Sequence, residues 1–386
     1  MRYQDVFSAV DALDAEFRRV WAEVVAIESP TSYKAGVDAV GAYFIERAKA
    51  RGFSVEVFPQ EVSGNVVCIT MNPDAKGAPV ALSGHMDTVH PVGSFGTPAV
   101  RIEGDKIYGP GVTDCKGGAV ACLLAMEALD DCGYRERPVM LLLQSDEETG
   151  SKGSGKATIG WMCEKAKDCV AFLNTEPHKP GEAVLTRKGI SRYRFNVKGK
   201  AVHSSDCAKP ELGAVSAIAE AAYKILELEK LKEPDGITCN CGLIEGGTVP
   251  NTVPESCSFV ADIRFATAEE RERADRIVHE VAARSYLTGS SCQVEQISYR
   301  VAMEPSAKNE ALFARMNEIF EEVGLPQLEC RHSNGGADSA DTTSFGIPSI
   351  DCLGTAGGRI HSVEEYGILS SLAESAKRLA AITLKI

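Results

Sequence analysis

Apolar residues recur along this chain at two different spacings, and the change from one to the other outlines its architecture. Residues 5–28 and 34–52 follow the spacing of amphipathic helices; in the second, Val37, Val40, Phe44, Ile45 and Ala48 alternate with polar positions. Short continuous apolar runs at 66–70, 80–83, 139–143 and 170–173 then predict buried strands, and 118–130 and 158–167 predict helices. Such alternation predicts an α/β layer with a largely parallel sheet. Ligands of these sheets gather beyond the carboxyl ends of the strands.

The pattern changes at Lys188-Gly189. From there to about residue 306 it reads strand (191–198), helix (212–229), strand (238–244), strand (256–265), helix (268–284) and strand (293–300). A βαββαβ order predicts a self-contained ferredoxin-like domain. The α/β layer resumes from Glu310 with a helix, the turn Gly335-Gly336-Ala337-Asp338-Ser339 and a strand at 349–353. A small domain, 188–306, is therefore expected to be inserted into a larger one made of 1–187 and 307–386.

Composition narrows the function classes. At 386 residues the chain exceeds one ordinary core, in keeping with two domains. A net charge of -13 argues against a nucleic-acid surface, which needs clustered Lys and Arg. No apolar run approaches the about 18 residues of a membrane-spanning helix. The start, Met1-Arg2-Tyr3-Gln4-Asp5, leads into a charged amphipathic helix rather than a secretory leader. Thirteen scattered cysteines without a C-x-x-C pair predict free, mostly buried thiols in a reducing cytoplasm.

Metal-binding side chains follow the apolar runs at widely separated places. His85 and Asp87 stand two apart, so in an extended segment both point the same way; the histidine can bind a cation while the aspartate holds its other ring nitrogen. Asp114 lies in a glycine-rich turn just before a helix, where its two oxygens can bridge two cations. Asp146-Glu147-Glu148 follow a strand, and their mutual repulsion is relieved by a cation or a proton; one glutamate can be a ligand and its neighbour a general base. Glu176 is another strand-end acid, and His361 sits in a glycine-rich stretch. Singly these have plainer readings, as a loop cap, a helix N-cap or a solvated acidic loop. Together they are the donor types of a two-metal hydrolase.

The segments SGHMDTV, YGPGVTDCKGG, SDEETGS, KGKAVHSS, GGADS and IHSVEEY resemble, in order and spacing, the dinuclear zinc amidohydrolase family of acetylornithine deacetylase, succinyl-diaminopimelate desuccinylase, aminoacylase and glutamate carboxypeptidase. The resemblance runs over essentially the whole chain. It implies two Zn²⁺ per chain, with Co²⁺ or Mn²⁺ as substitutes: His85 and Glu176 on one, Glu148 and His361 on the other, Asp114 between them. It also implies Glu147 as the general base, Asp87 as the orienter of His85, and a cis peptide between Asp114 and Cys115. The inserted domain resembles the family's lid and dimerisation domain. There His203 would serve a neighbouring subunit's oxyanion, and Asn251 and Arg264 would contact substrate.

The expected activity is carboxypeptidase-like hydrolysis of an amide or peptide bond in a small carboxylate-bearing substrate, a peptide or an N-acyl amino acid, by a homodimer joined through the inserted domain. Within the class the alternatives are an N-acyl amino acid deacylase and a dipeptidase. Two other classes differ in kind: a non-catalytic binding protein on the same fold, and a cysteine hydrolase using Cys115. A degenerate binding protein is expected to lack a ligand or the base, whereas this chain has all of them.

Overall fold

Helix α1 (Tyr3–Ala26) buries Val6, Val10, Phe17, Val20, Trp21, Val24 and Val25, the three- and four-residue spacing read from the sequence, and α2 (Lys34–Ala50) follows. These belong to a computed structural model that describes residues 1–234 and 236–386. Its chain divides into two units. The first comprises Met1–Thr186, Pro305–His332 and Ala337–Ile386; the second comprises Arg187–Glu304 and Ser333–Gly336.

In the first unit the strands are β1 (Ser54–Phe58), β2 (Val66–Met71), β3 (Val80–His85), β4 (Arg101–Glu103) and β5 (Lys106–Tyr108), then α3 (Gly118–Asp131), β6 (Val139–Gln144), α4 (Ala157–Ala166) and β7 (Ala171–Asn174). The central sheet has the order β1-β2-β6-β3-β7-β14, where β14 is Ser349–Ile350. β6, β3, β7 and β14 run parallel, and β2 and β1 extend the sheet antiparallel. Every residue of β3 and β6 is buried, as expected for strands covered on both faces. Helix α3 is apolar almost throughout because it lies inside the same core, between the sheet and α1. The edge strand β1 is mostly exposed and carries no continuous apolar run, so the sequence pattern did not reveal it.

The second unit contains β9 (Gly189–Lys198), α5 (Ala217–Leu228), β10 (Thr238–Gly246), β11 (Ser256–Phe265), α6 (Ala268–Ala283) and β12 (Ser291–Arg300), preceded in the chain by β8 (Glu182–Arg187). Its four strands are antiparallel in the order β10-β11-β9-β12, the pairing of a ferredoxin-like sheet. Alternate residues Tyr193, Phe195 and Val197 of β9 and Phe259, Ala261 and Ile263 of β11 face its core. Helix α5 begins at Ala217, later than the periodicity suggests. Gly213, at φ 59°, closes a short preceding turn, and Ser216 accepts the Ala219 N–H at 3.2 Å as N-cap. A buried lysine then staples α5 to the end of α6. Lys224 Nζ donates to the Val281 carbonyl at 2.8 Å and pairs with Glu220 at 3.1 Å. Glu220 in turn accepts the Leu287 N–H at 2.7 Å.

The chain returns to the first unit through α7 (Ala307–Val323), β13 (Glu329–Ser333), α8 (Asp338–Ser344) and β14. It closes with β15 (Gly357–Gly358), β16 (Tyr366–Ile368) and α9 (Ser371–Lys385). β15 and β16 pair antiparallel, and β16 adds to β5. That small sheet carries the loop containing His361.

Candidate metal centre

Three adjacent parallel strands deliver the acids and one histidine. β3 ends at His85, whose cross-strand partner is Gln144 at the end of β6. The turn after β6 presents Glu147 and Glu148, and β7 is followed directly by Thr175 and Glu176. Asp114 comes from the turn Val112–Gly117 in front of α3. Trp21 of α1 anchors that turn, its indole N–H donating to the Val112 carbonyl at 2.8 Å. Gly118 lets it pack against the end of β7: a Cβ there would stand 2.1 Å from the Thr175 carbonyl oxygen. The Asp114–Cys115 peptide is cis, as the resemblance implies.

The two oxygens of Asp114 face two histidines. His85 Nε2 lies 3.0 Å from Oδ1 and His361 Nε2 lies 3.3 Å from Oδ2. His361 is also 3.2 Å from Glu148, and His85 is 3.8 Å from Glu176. His361 and Arg359 both adopt positive φ, 61° and 56°, so the loop is folded tightly around the side chain it presents. Donor atoms of His85, Asp114 and Glu148 fall within 4.8 Å of one another, as do those of His85, Cys115 and Glu176.

Asp87 does more than the sequence suggested. His85 Nδ1 is nearest the Asp87 backbone oxygen, at 3.0 Å, with carboxylate Oδ1 at 3.4 Å. The carboxylate itself accepts the backbone N–H groups of Glu147 at 3.1 Å and Glu148 at 3.2 Å, and the Thr31 hydroxyl at 2.7 Å. It therefore holds the acidic turn as well as the histidine.

The charge balance fits divalent cations. Burial pushes the Glu148 carboxyl up to about 8, with the Asp114 charge adding to the effect. Burial, then Asp114 and Glu147, raise Glu176 well above the carboxylate range. For Asp114 burial acts upward too, but the hydrogen bonds from His361 and His85 outweigh it and hold it below its ordinary value. The same contacts with Asp114 and Glu148 raise His361 to about 10. Among the described residues no lysine or arginine forms an ion pair with Asp114, Glu148 or Glu176. Two imidazoles and three carboxylates without a fixed countercharge are a donor set for borderline-hard divalent ions.

The cysteine alternative does not fit. The Cys115 thiol is buried, its pKa is pushed well up by that burial, and Sγ donates to the Thr175 carbonyl at 3.0 Å. A nucleophilic cysteine needs the opposite, a stabilised thiolate.

His203, Asn251 and Arg264 lie in the second unit. His203 is exposed and bridges to Thr252, next to Asn251, whose carbonyl accepts the Ser204 N–H at 2.9 Å. His203 Nδ1 accepts the Ser205 backbone N–H at 3.3 Å, which leaves the proton of the neutral ring on Nε2. Arg264 pairs with Asp262 at 2.6 Å and donates to the Asn334 carbonyl at 3.3 Å. From the sequence His90 reads as a structural histidine, and neither it nor Glu365 receives a role at the site. Glu365 is completely buried under the Asp114 turn, and its neighbours Glu364 and Ser362 in the His361 segment were the only hint.

Residues 81–385 match the family described as Peptidase family M20/M25/M40. Carboxypeptidase G2 of Pseudomonas sp. (strain RS-16) is 30% identical over 358 residues, covering 91% of this chain and 84% of that protein. Acetylornithine deacetylase of Myxococcus xanthus is 30% identical over 290 residues, 70% of this chain and 72% of that one. A tripeptidase structure from Staphylococcus aureus shares the fold with a TM-score of 0.78 at 22% identity, covering 96% of this chain and 97% of that chain.

Proposed function

The chain belongs to peptidase family M20/M25/M40 and is a hydrolase of amide or peptide bonds, and from that premise we propose that it removes a C-terminal residue from a small carboxylate-bearing substrate with two zinc ions in the His85–His361 cluster. The observation that carries this reading is Asp114, with one histidine on each of its carboxylate oxygens. His85 and Glu176 would hold one ion, His361 and Glu148 the other, and Asp114 both. Zinc, when bound there, supplies the Lewis acidity that polarises an amide carbonyl and eases loss of a proton from water.

The chain's own residues do the rest. Glu147, only 7% exposed and fixed through its N–H by Asp87, accepts the proton of the attacking water and returns it to the leaving amine nitrogen. Neither it nor Asp87 is assigned to a cation. His203, with its Nε2–H free to donate, would steady the developing oxyanion in a neighbouring subunit's site. Arg264 can take a substrate carboxylate only by sharing its guanidinium with Asp262, and Asn251 would add a polar contact.

A homodimer through the second unit is supported by β10. This edge strand exposes Leu243 (67%) and Ile244 (54%), while α5 exposes Ile218 and Leu226. Unpaired apolar edges of this kind invite a second copy. Thirteen free cysteines support a reducing compartment, the cytoplasm. No helix among the described residues is long and apolar enough to cross a membrane.

The similarity to acetylornithine deacetylase favours one second reading, deacylation of an N-acyl amino acid at the same centre. A hydrolysis screen of dipeptides and N-acyl amino acids, with zinc- and cobalt-loaded protein, separates the two. Turnover of none of these by protein carrying two metals would reject both.

A further inference from the structure

Glu365 lies on the same loop as His361 but faces the opposite way, into the protein, where it is 0% exposed. One carboxylate oxygen accepts two consecutive backbone N–H groups, Thr113 at 2.9 Å and Asp114 at 3.1 Å. The other lies 2.8 Å from His90 Nε2. His90 is itself buried, with its ring edge-on to Phe95 at 4.9 Å. The next residue, Tyr366, accepts the Thr113 hydroxyl at 2.8 Å. Three segments far apart in the chain thus meet on one carboxylate: the loop after β3, the Asp114 turn and the His361 loop.

A buried carboxylate is a costly way to satisfy two backbone donors, since a neutral oxygen would serve and the cluster is already rich in acids. Its placement gives it another consequence. It fixes the Thr113–Asp114 peptide from beneath, which sets the direction of the Asp114 side chain. The same residue ties down the loop whose His361 meets Asp114 at 3.3 Å. Lys116, also fully buried, donates to the Ile27 and Pro110 carbonyls at 2.7 and 3.2 Å and so ties the same turn to the end of α1, while burial lowers its pKa to about 7.

We propose that Glu365, oriented by His90, is a positioning residue for the metal centre: it holds Asp114 with one oxygen toward each histidine and locks the His361 loop to it. The inference rests on the reading of Asp114 and His361 as metal ligands. Partners of this kind, one shell behind the ligands, typically change metal affinity about 10–100-fold when removed.

The test is the affinity of the full-length protein for Zn²⁺ and Co²⁺, measured by competition with a chromophoric chelator, beside the visible spectrum of the cobalt form. Glu365→Ala is expected to weaken both equivalents about 10–100-fold and to alter the cobalt spectrum. Glu365→Gln, which keeps one oxygen for the two N–H groups, should recover part of that loss. Glu127→Gln is the control for stability alone, because Glu127 is equally buried but paired with Arg47 and Arg51 away from the site. It should leave affinity unchanged. Should Glu365→Ala fail to fold, His90→Ala and Glu365→Gln carry the test. Wild-type affinity and spectrum in the folded variants would overturn the proposal. Failure of the wild-type chain to bind two equivalents would instead reject the two-metal reading beneath it.

Discussion

The carboxylate of Asp87 receives the backbone N–H of Glu147 at 3.1 Å, so the residue that braces His85 also sets the turn carrying the proposed general base. Asp87→Ala leaves the buried N–H of Glu147 without an acceptor, at about 1–3 kcal/mol, and the half-buried N–H of Glu148 without its partner. The variant should melt lower and lose turnover and metal affinity together. Asp87→Asn, with one amide oxygen retained, should fall between. Thermal melts beside chelator competition check this, and a variant that lost only stability would contradict the shared role.

Glu147 and Glu148 are adjacent but should fail differently. Glu147→Gln is expected to keep both metals and lose about 10²–10⁴-fold in kcat, the usual contribution of a general base. Glu148→Gln should lose metal affinity first and regain activity as zinc is raised. Identical behaviour of the two in metal titrations would undo this division.

Chelation should abolish turnover while the far-ultraviolet circular dichroism at 25 °C stays native. The core of each unit is built of apolar side chains and includes none of the cluster's donors. The melting temperature should nevertheless fall, because a ligand that binds only the folded state stabilises it. Restoring zinc should return both activity and melting temperature.

Acid should destabilise the second unit partly through Glu220. Burial raises its carboxyl, but the N–H groups of Leu287 and Tyr286 and the Lys224 ammonium outweigh that and leave it below its ordinary value. A depressed folded-state pKa contributes stability that is present above the unfolded value and lost as pH falls through the folded one. Melting temperature against pH should therefore drop more steeply below about pH 4.5 in the wild type than in Glu220→Gln. Parallel curves would show that Glu220 does not contribute.

If His203 serves a neighbouring subunit, two inactive variants should complement. Glu147→Gln lends its intact His203 to the intact Glu147 of His203→Ala, giving one good site per mixed dimer. Activity should recover after subunit exchange, to at most one working site in two. No recovery after exchange proven by mass spectrometry would place His203 outside the partner's reaction.

Much of this was legible from residue order because parallel strands put chemistry at their ends. His85, Glu147, Glu148 and Glu176 each follow an apolar run, and the runs became β3, β6 and β7. What escaped was contact made across the fold. Glu365 reaches Asp114 over 251 positions and Asp87 reaches Glu147 over 60, and neither spacing leaves a periodic trace. The start of α5 was missed because Gly213 interrupts an otherwise continuous pattern. Ser333–Gly336 joins the second unit although its sequence neighbours on both sides belong to the first, which no local pattern reveals.

The donors of the centre are strung from His85 to His361, and the acceptor beneath Asp114 arrives later still, at Glu365. A ribosome adds about 5–20 residues per second, so Glu176 emerges on the order of ten seconds before the second histidine. Until then the growing polypeptide holds His85, Asp114, Glu148 and Glu176 but neither the second imidazole nor the acceptor that fixes the Asp114 turn. The donor set proposed for two metals is thus complete only once residue 361 has emerged, so one ion's pair of ligands, His85 and Glu176, exists well before the other's.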